Sequence, residues 1–201
     1  MCVADERARE VRAHYDDAGV VVYQAFSPHI AEDAVRLQTM GRGFTLERMT
    51  WIKPSFGWML YRSGYARKHR QERILRIRLA HGGFRAILAE AIPTAFTPGL
   101  FSDDREWSSA LRQSRVRYQW DPDRDLRLVR LDRRAIQLGI RGEVVARYVQ
   151  EWILGVEDVT ELALEIERSV RSRQELPTVP EERVYPVDET TRRSLGMDLD
   201  A

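Results

Sequence analysis

Hydrophobic and polar positions alternate over Ile74–Leu79, with Leu75, Ile77 and Leu79 on one side and Arg76 and Arg78 on the other. That period of two predicts a half-buried strand with arginines on its open face. A second such run has Val116, Tyr118 and Trp120 against Arg115, Arg117 and Gln119. Val20–Gln24 is short, β-branched and almost continuously apolar, which predicts a strand buried on both sides. Leu126–Leu131 and Arg134–Ile140 read as further strands, with Asp121-Pro122-Asp123 as a turn before them.

Helical spacing predicts the rest. Residues 6–15 read as an N-terminal helical stretch, broken at Gly19. Ser27-Pro28 supplies an N-cap and a proline for the first turn of a helix reaching about Met40. Gly82-Gly83 reads as a turn before a short helix through Phe84, Ile87 and Leu88, closed by Pro93; a loop then runs to Asp104. Val145, Tyr148, Val149, Trp152 and Ile153 mark a helix after Gly142, ended by Gly155. Asp158-Val159-Thr160-Glu161 has capping-box spacing ahead of Leu162, Ile166 and Val170. The expectation is a single α+β domain over 1–176, its mixed, mostly antiparallel sheet open on one arginine-rich face and packed by helices. Residues 177–201, rich in proline and acid, are expected as a loosely attached tail.

Composition narrows the function. With 201 residues and 43% hydrophobic content, the chain can bury one sizeable core. One cysteine, Cys2, cannot make an internal disulfide or half of a zinc site, so structural zinc is not expected. The four histidines, His14, His29, His69 and His81, lack metal-ligand spacing. No apolar run reaches the roughly 18 residues of a membrane span, and the charged N-terminus has no export character, so a cytoplasmic protein is expected. The net charge of +1 argues against a polyanion binder over the whole surface. The phosphate loop GxxxxGK[ST], the GxGxxG fingerprint and the nucleophile elbow GxSxG are all absent.

Only Lys53 and Lys68 are lysines among 32 basic residues. Arginine cannot replace an amine that must lose its proton, so each lysine draws attention. Lys53 sits in Met49–Tyr65, where Trp51, Phe56, Trp58, Tyr61 and Tyr65 interleave with Thr50, Ser55, Arg62 and Ser63. Aromatic faces with a few placed polar groups build small-molecule sites; the same aromatics also serve as core. Arg62 to Arg85 holds eight basic residues and one acid, Glu72, leaving the rest of the chain net acidic. Guanidinium forks of this kind suit phosphate oxygens, and equally a solvated surface.

VYQAF (22–26), MTWIKPSFGWMLYRSG (49–64), QWDPDR (119–124) and AIQLGI (135–140) resemble a family catalogued as domain of unknown function 4291. The resemblance covers most of the chain up to about residue 170. It implies that these stretches are the family's signature, which makes Tyr23, Gln24, Lys53, Ser55 and Arg62 the natural candidates.

Three functions follow as expectations. The first is a group-transfer enzyme on a nucleotide or phosphate ester, in one version an NAD-consuming transferase of ADP-ribosyl groups. Lys53 or Ser55 would polarise the reacting centre, and a carboxylate such as Glu151 would act as base. Arg62, Arg76 and Arg78 would hold phosphate, Trp51 or Trp58 would stack on a ring, and Tyr23 and Gln24 would complete the binding residues. Asp121, Asp123 and Glu143 are further acids without a distinguishing pattern. NAD or another nucleotide is the cofactor or substrate of this reading. The second is an RNA- or DNA-binding module using the arginine-lined strands as a stacking surface. The third is a scaffold for an acidic protein partner.

Overall fold

Val20–Val22 explain the layering, because their strand is buried on both sides. In the computed structural model, which describes residues 8–199, Val20 and Val22 join one core and Val21 joins another. The strand is β4 (Gly19–Phe26), following three short strands, β1 (Ala8–Arg9), β2 (Arg12–Ala13) and β3 (Tyr15–Asp16). Beyond it come α1 (Pro28–Leu37), β5 (Thr50–Ile52), α2 (Phe56–Ser63), β6 (Arg73–Leu79) and α3 (His81–Ala89). Next are β7 (Ala91–Pro93), α4 (Asp104–Gln113), β8 (Val116–Arg124), β9 (Arg130–Ile140) and α5 (Glu143–Arg147). A π-helical turn (Tyr148–Trp152) leads into β10 (Ile153–Asp158), α6 (Thr160–Ser172), β11 (Arg183–Val184) and α7 (Glu189–Ser194).

One sheet runs β10-β6-β4-β3; the other runs β7-β8-β9, with β5 and β1 both on the far edge of β9. Only β1–β9 and β7–β8 are parallel among the named pairs. Tyr23 and Lys53 stitch the sheets together by exchanging backbone hydrogen bonds of 2.7 and 3.1 Å, giving a curled half-barrel. The larger core gathers Leu75, Ile77 and Leu79 with Phe84, Tyr118, Ile136, Leu138 and Tyr148. On the opposite face of β4, α2 and α6 cover Tyr23 and Ile74 through Phe56, Leu60, Ala163 and Ile166. The chain is a single α+β domain, as the alternating and helical periods predict.

Several local expectations are corrected. Residues 8–16 form short strands, because Val11 and Ala13 bury alternate positions and β2 pairs with β11; residues 6 and 7, like Cys2, lie outside the described residues. Gly82 and Gly83 lie inside α3, where Gly83 gives room to Trp152. Asp121-Pro122-Asp123 stays within β8, proline being tolerated beside the irregularity between Pro122 and Arg124. The turn comes later, around Asp125–Leu128, in place of the start of the strand expected at Leu126. The helix after Gly142 ends at Trp152, and Ile153 and Gly155 belong to β10. Asp158 accepts from Thr160 N–H at 2.9 Å and pairs with Arg73, so no capping box forms. Helix α4, whose Trp107, Ala110 and Leu111 form a half-buried side, starts at an Asp103 cap.

The segment after Pro177 is also seated. Tyr185 and Leu195 are fully buried, Tyr185 N–H donates to Val11 O at 2.7 Å, and Trp120 Nε1 donates to Leu195 O at 2.9 Å. At the opposite border, Gln38 donates through Nε2 to Val156 O (3.0 Å) and accepts from Val156 N–H through Oε1 (3.1 Å), covering the middle of edge strand β10.

Candidate functional site at the seam between the sheets

The sharp entry into α2 sets the geometry. Ser55 caps the helix by accepting from Trp58 N–H at 3.1 Å, and Gly64 closes it at φ 59°. Gly57 allows the first turn to lie on β8, since a Cβ there would meet Arg124 O at 2.0 Å. Trp58 and Arg62, one turn apart, then share a side of the helix.

Lys53 leaves the end of β5 beside them. Its Nζ donates to Trp51 O at 3.0 Å and lies 5.6 Å from the centre of the Trp58 ring. Burial, with the Arg62 guanidinium adding to it, brings the Lys53 amine down to about 7; the Asp121 carboxylate opposes this. Asp121 is itself pushed up by burial and held back by hydrogen bonds from Gln137 (2.6 Å) and Gln119 (2.9 Å). Arg62 is exposed, and its guanidinium makes no ion pair among the described residues. Trp51, half-buried, rests on Gly139, where a Cβ would stand 2.9 Å from the ring.

The structure therefore brings Lys53, Trp58, Arg62 and Asp121 together, with Trp51 adjoining. Trp58 is packed inward at 6% exposure, so Trp51 is the indole with an accessible surface. Gln24 is a structural node: its amide donates to Thr50 Oγ1 (2.7 Å) and Trp51 O (3.1 Å) and accepts from the Tyr148 hydroxyl (2.8 Å). Tyr23 is buried against Phe56 with ring centres 4.8 Å apart, and burial raises its phenol. The Ser55 hydroxyl donates to Asp123 Oδ1 at 2.7 Å, while Arg133 binds the other oxygen at 2.8 Å. Glu151 lies on the surface in an ion pair with Arg147. Arg76 and Arg78 are bound to Glu157 and Asp16 and line a hollow of about 430 Å³ on the other side of β4 from β5.

The basic cluster thus divides. Arg67, Arg73, Arg76 and Arg78 are paired with Glu167, Asp158, Glu157 and Asp16, whereas Arg62, Lys68 and Arg70 have no carboxylate partner among the described residues. Sequence reasoning missed Glu182, which lies in the segment read as a tail. Its Oε1 accepts from Phe56 N–H at 2.6 Å at the start of α2. Burial, then the Asp123 carboxylate, push the Glu182 carboxyl up to about 8, against the Phe56 amide, Arg133 and Arg12. The apolar run Val184-Tyr185 beside it was the available signal that this segment docks.

The family model described as a domain of unknown function (DUF4291) matches residues 10–185. The chain belongs to this family. The DUF4291 match spans the seam, all of α2 and the Glu182 strap, so the site lies wholly inside the family domain. No curated protein matches the chain. No helix among the described residues is long and apolar enough to cross a membrane.

Proposed function

We propose that this DUF4291 domain is a group-transfer enzyme acting on a nucleotide-like phosphate ester at the Lys53 seam. The observation that carries the reading is the convergence of two cations, Lys53 and Arg62, with no carboxylate hydrogen-bonded to either among the described residues. When Lys53 is protonated the two cations repel, Asp121 offsets part of this, and a bound anion would relieve the rest. Arg62 holds a phosphate oxygen pair, and half-buried Trp51 takes the ring. Lys53 is close to half deprotonated near neutral pH, which suits an amine acting as base or nucleophile. Asp121 steadies the ammonium when it forms. Glu151, on the surface, is not the carboxylate of this reading; in its NAD-consuming version Asp121 faces the developing cationic sugar.

The test is a thermal-shift panel of NAD, ATP and nucleoside monophosphates, followed by mass spectrometry for cleaved or transferred products. Binding and turnover are expected with at least one nucleotide. Lys53→Arg keeps the charge and should retain binding while lowering turnover at least about 100-fold, the usual worth of a general base. Absence of any nucleotide-induced shift and product, or full turnover in Lys53→Arg, overturns the reading.

A further inference from the structure

A hollow of about 270 Å³ opens between the end of β4, α1 and the start of β5, lined by Phe26, Ile30, Phe44, Met49, Arg48 and Arg70, among others. Its apolar side chains are only half-buried, and the Phe26 and Phe44 rings meet edge to face with centres 6.0 Å apart. Such a corner offers a ring an apolar wall. Thr50 adds a hydroxyl: Oγ1 already accepts from Gln24 Nε2 at 2.7 Å, and its own proton is uncommitted among the described residues.

Two guanidiniums complete the lining. Neither Arg48 nor Arg70 makes a side-chain hydrogen bond or ion pair among the described residues, although Glu72 is close enough to accept from Arg70 N–H at 2.9 Å. Arg70 also stands at φ 61°, a left-handed backbone that glycine adopts more readily. Five other described non-glycine residues share this backbone, so what marks Arg70 is its guanidinium at the hollow, unpaired among the described residues.

We infer that this hollow is a binding site for a small ring-bearing monophosphate, its ring on Phe26 and Phe44 and its phosphate between Arg48 and Arg70. The volume admits a compact ligand of the mononucleotide or aryl-phosphate class, below the usual roughly 300–1,000 Å³ of drug-sized sites. Two guanidiniums suit a dianion, which each can meet with paired N–H groups. The inference requires no reaction at Lys53.

Titration calorimetry on the full chain tests it with AMP, phenyl phosphate, adenosine and inorganic phosphate. AMP or phenyl phosphate should bind at least about 10-fold more tightly than either half alone, since ring and phosphate contacts combine within one ligand. Arg70→Gly removes the guanidinium and relieves the backbone, so the fold should melt no lower while affinity falls about 10-fold, as expected for a lost charged hydrogen-bond pair. Arg48→Ala should weaken binding similarly, and Lys53→Met should leave it within about two-fold. The inference is overturned if neither ring-bearing phosphate binds, if phosphate alone binds as well, or if both arginine variants bind normally. Binding lost in Lys53→Met and kept in Arg70→Gly would move the ligand to the seam, overturning this site while sparing the proposed enzyme.

Discussion

Lys53 and Glu182 change charge within the same pH range, and their effects on stability have opposite signs. The Lys53 amine falls from 10.5 to about 7 on folding, so between those values the unfolded chain holds the extra proton and stability rises with pH. The Glu182 carboxyl rises from 4.5 to about 8, so across that window the folded chain holds the extra proton and stability falls as pH rises. Each slope is on the order of 1.4 kcal/mol per pH unit. Denaturation midpoints measured from pH 4.5 to 10 should show Glu182→Gln gaining on the parent up to about pH 8 and level beyond it. Lys53→Met should start more stable than the parent and lose that advantage between about pH 7 and 10.5. Parallel profiles for parent and variants would show that neither group is desolvated as described. Lys53 was legible because lysine is scarce in this chain. Glu182 was not, since nothing about the second of two glutamates before a two-residue strand reveals that it will bind the start of a helix 126 residues away.

Neighbouring glycines in α3 separate what helix propensity decides from what packing decides. At Gly82 a Cβ meets nothing within 4 Å; at Gly83 it would stand 2.3 Å from Trp152 Cγ. Gly82→Ala should therefore stabilise by up to about 1 kcal/mol, and Gly83→Ala should destabilise by about 1–3 kcal/mol or more. Gly57→Ala should be worse again, because backbone Arg124 O, 2.0 Å away, cannot rotate aside as a side chain can. Thermal melts of the three variants give the ranking, and equal melting of Gly82→Ala and Gly83→Ala would contradict it. The glycine pair also shows why elements were misread. A Gly-Gly step reads as a turn when its neighbours are unknown, and Trp152, which requires it, lies 69 residues further on. By contrast β6 and β8 were plain, since their alternation needs no knowledge of what covers them. Helix α4 was missed although Trp107, Ala110 and Leu111 stand at helical spacing, because the rest of the segment is polar and the stripe is only three positions long.

Across the whole domain, the C-terminal strap is the part whose role differs most from its composition. It closes the larger core with Tyr185, Leu195 and Met197, pairs β11 with β2 and delivers Glu182 to α2. Large buried side chains contribute about 1.5–3 kcal/mol each, so three of them together are comparable to the lower half of the roughly 5–15 kcal/mol that holds a domain folded. A chain ending at residue 176 should lose its cooperative melting transition and bind a hydrophobic dye; a sharp melt near that of the full chain would restore the picture of a tail. The prolines and acids of this segment suggested disorder because apolar anchors are sparse in it, and tertiary packing makes a few suffice. The opposite rim of the domain depends on still less. Where Gln38 occupies both polar groups of Val156, an incoming strand from another molecule finds neither donor nor acceptor at mid-edge. One amide side chain thereby denies growing fibrils a template on a border that backbone geometry alone would have left sticky.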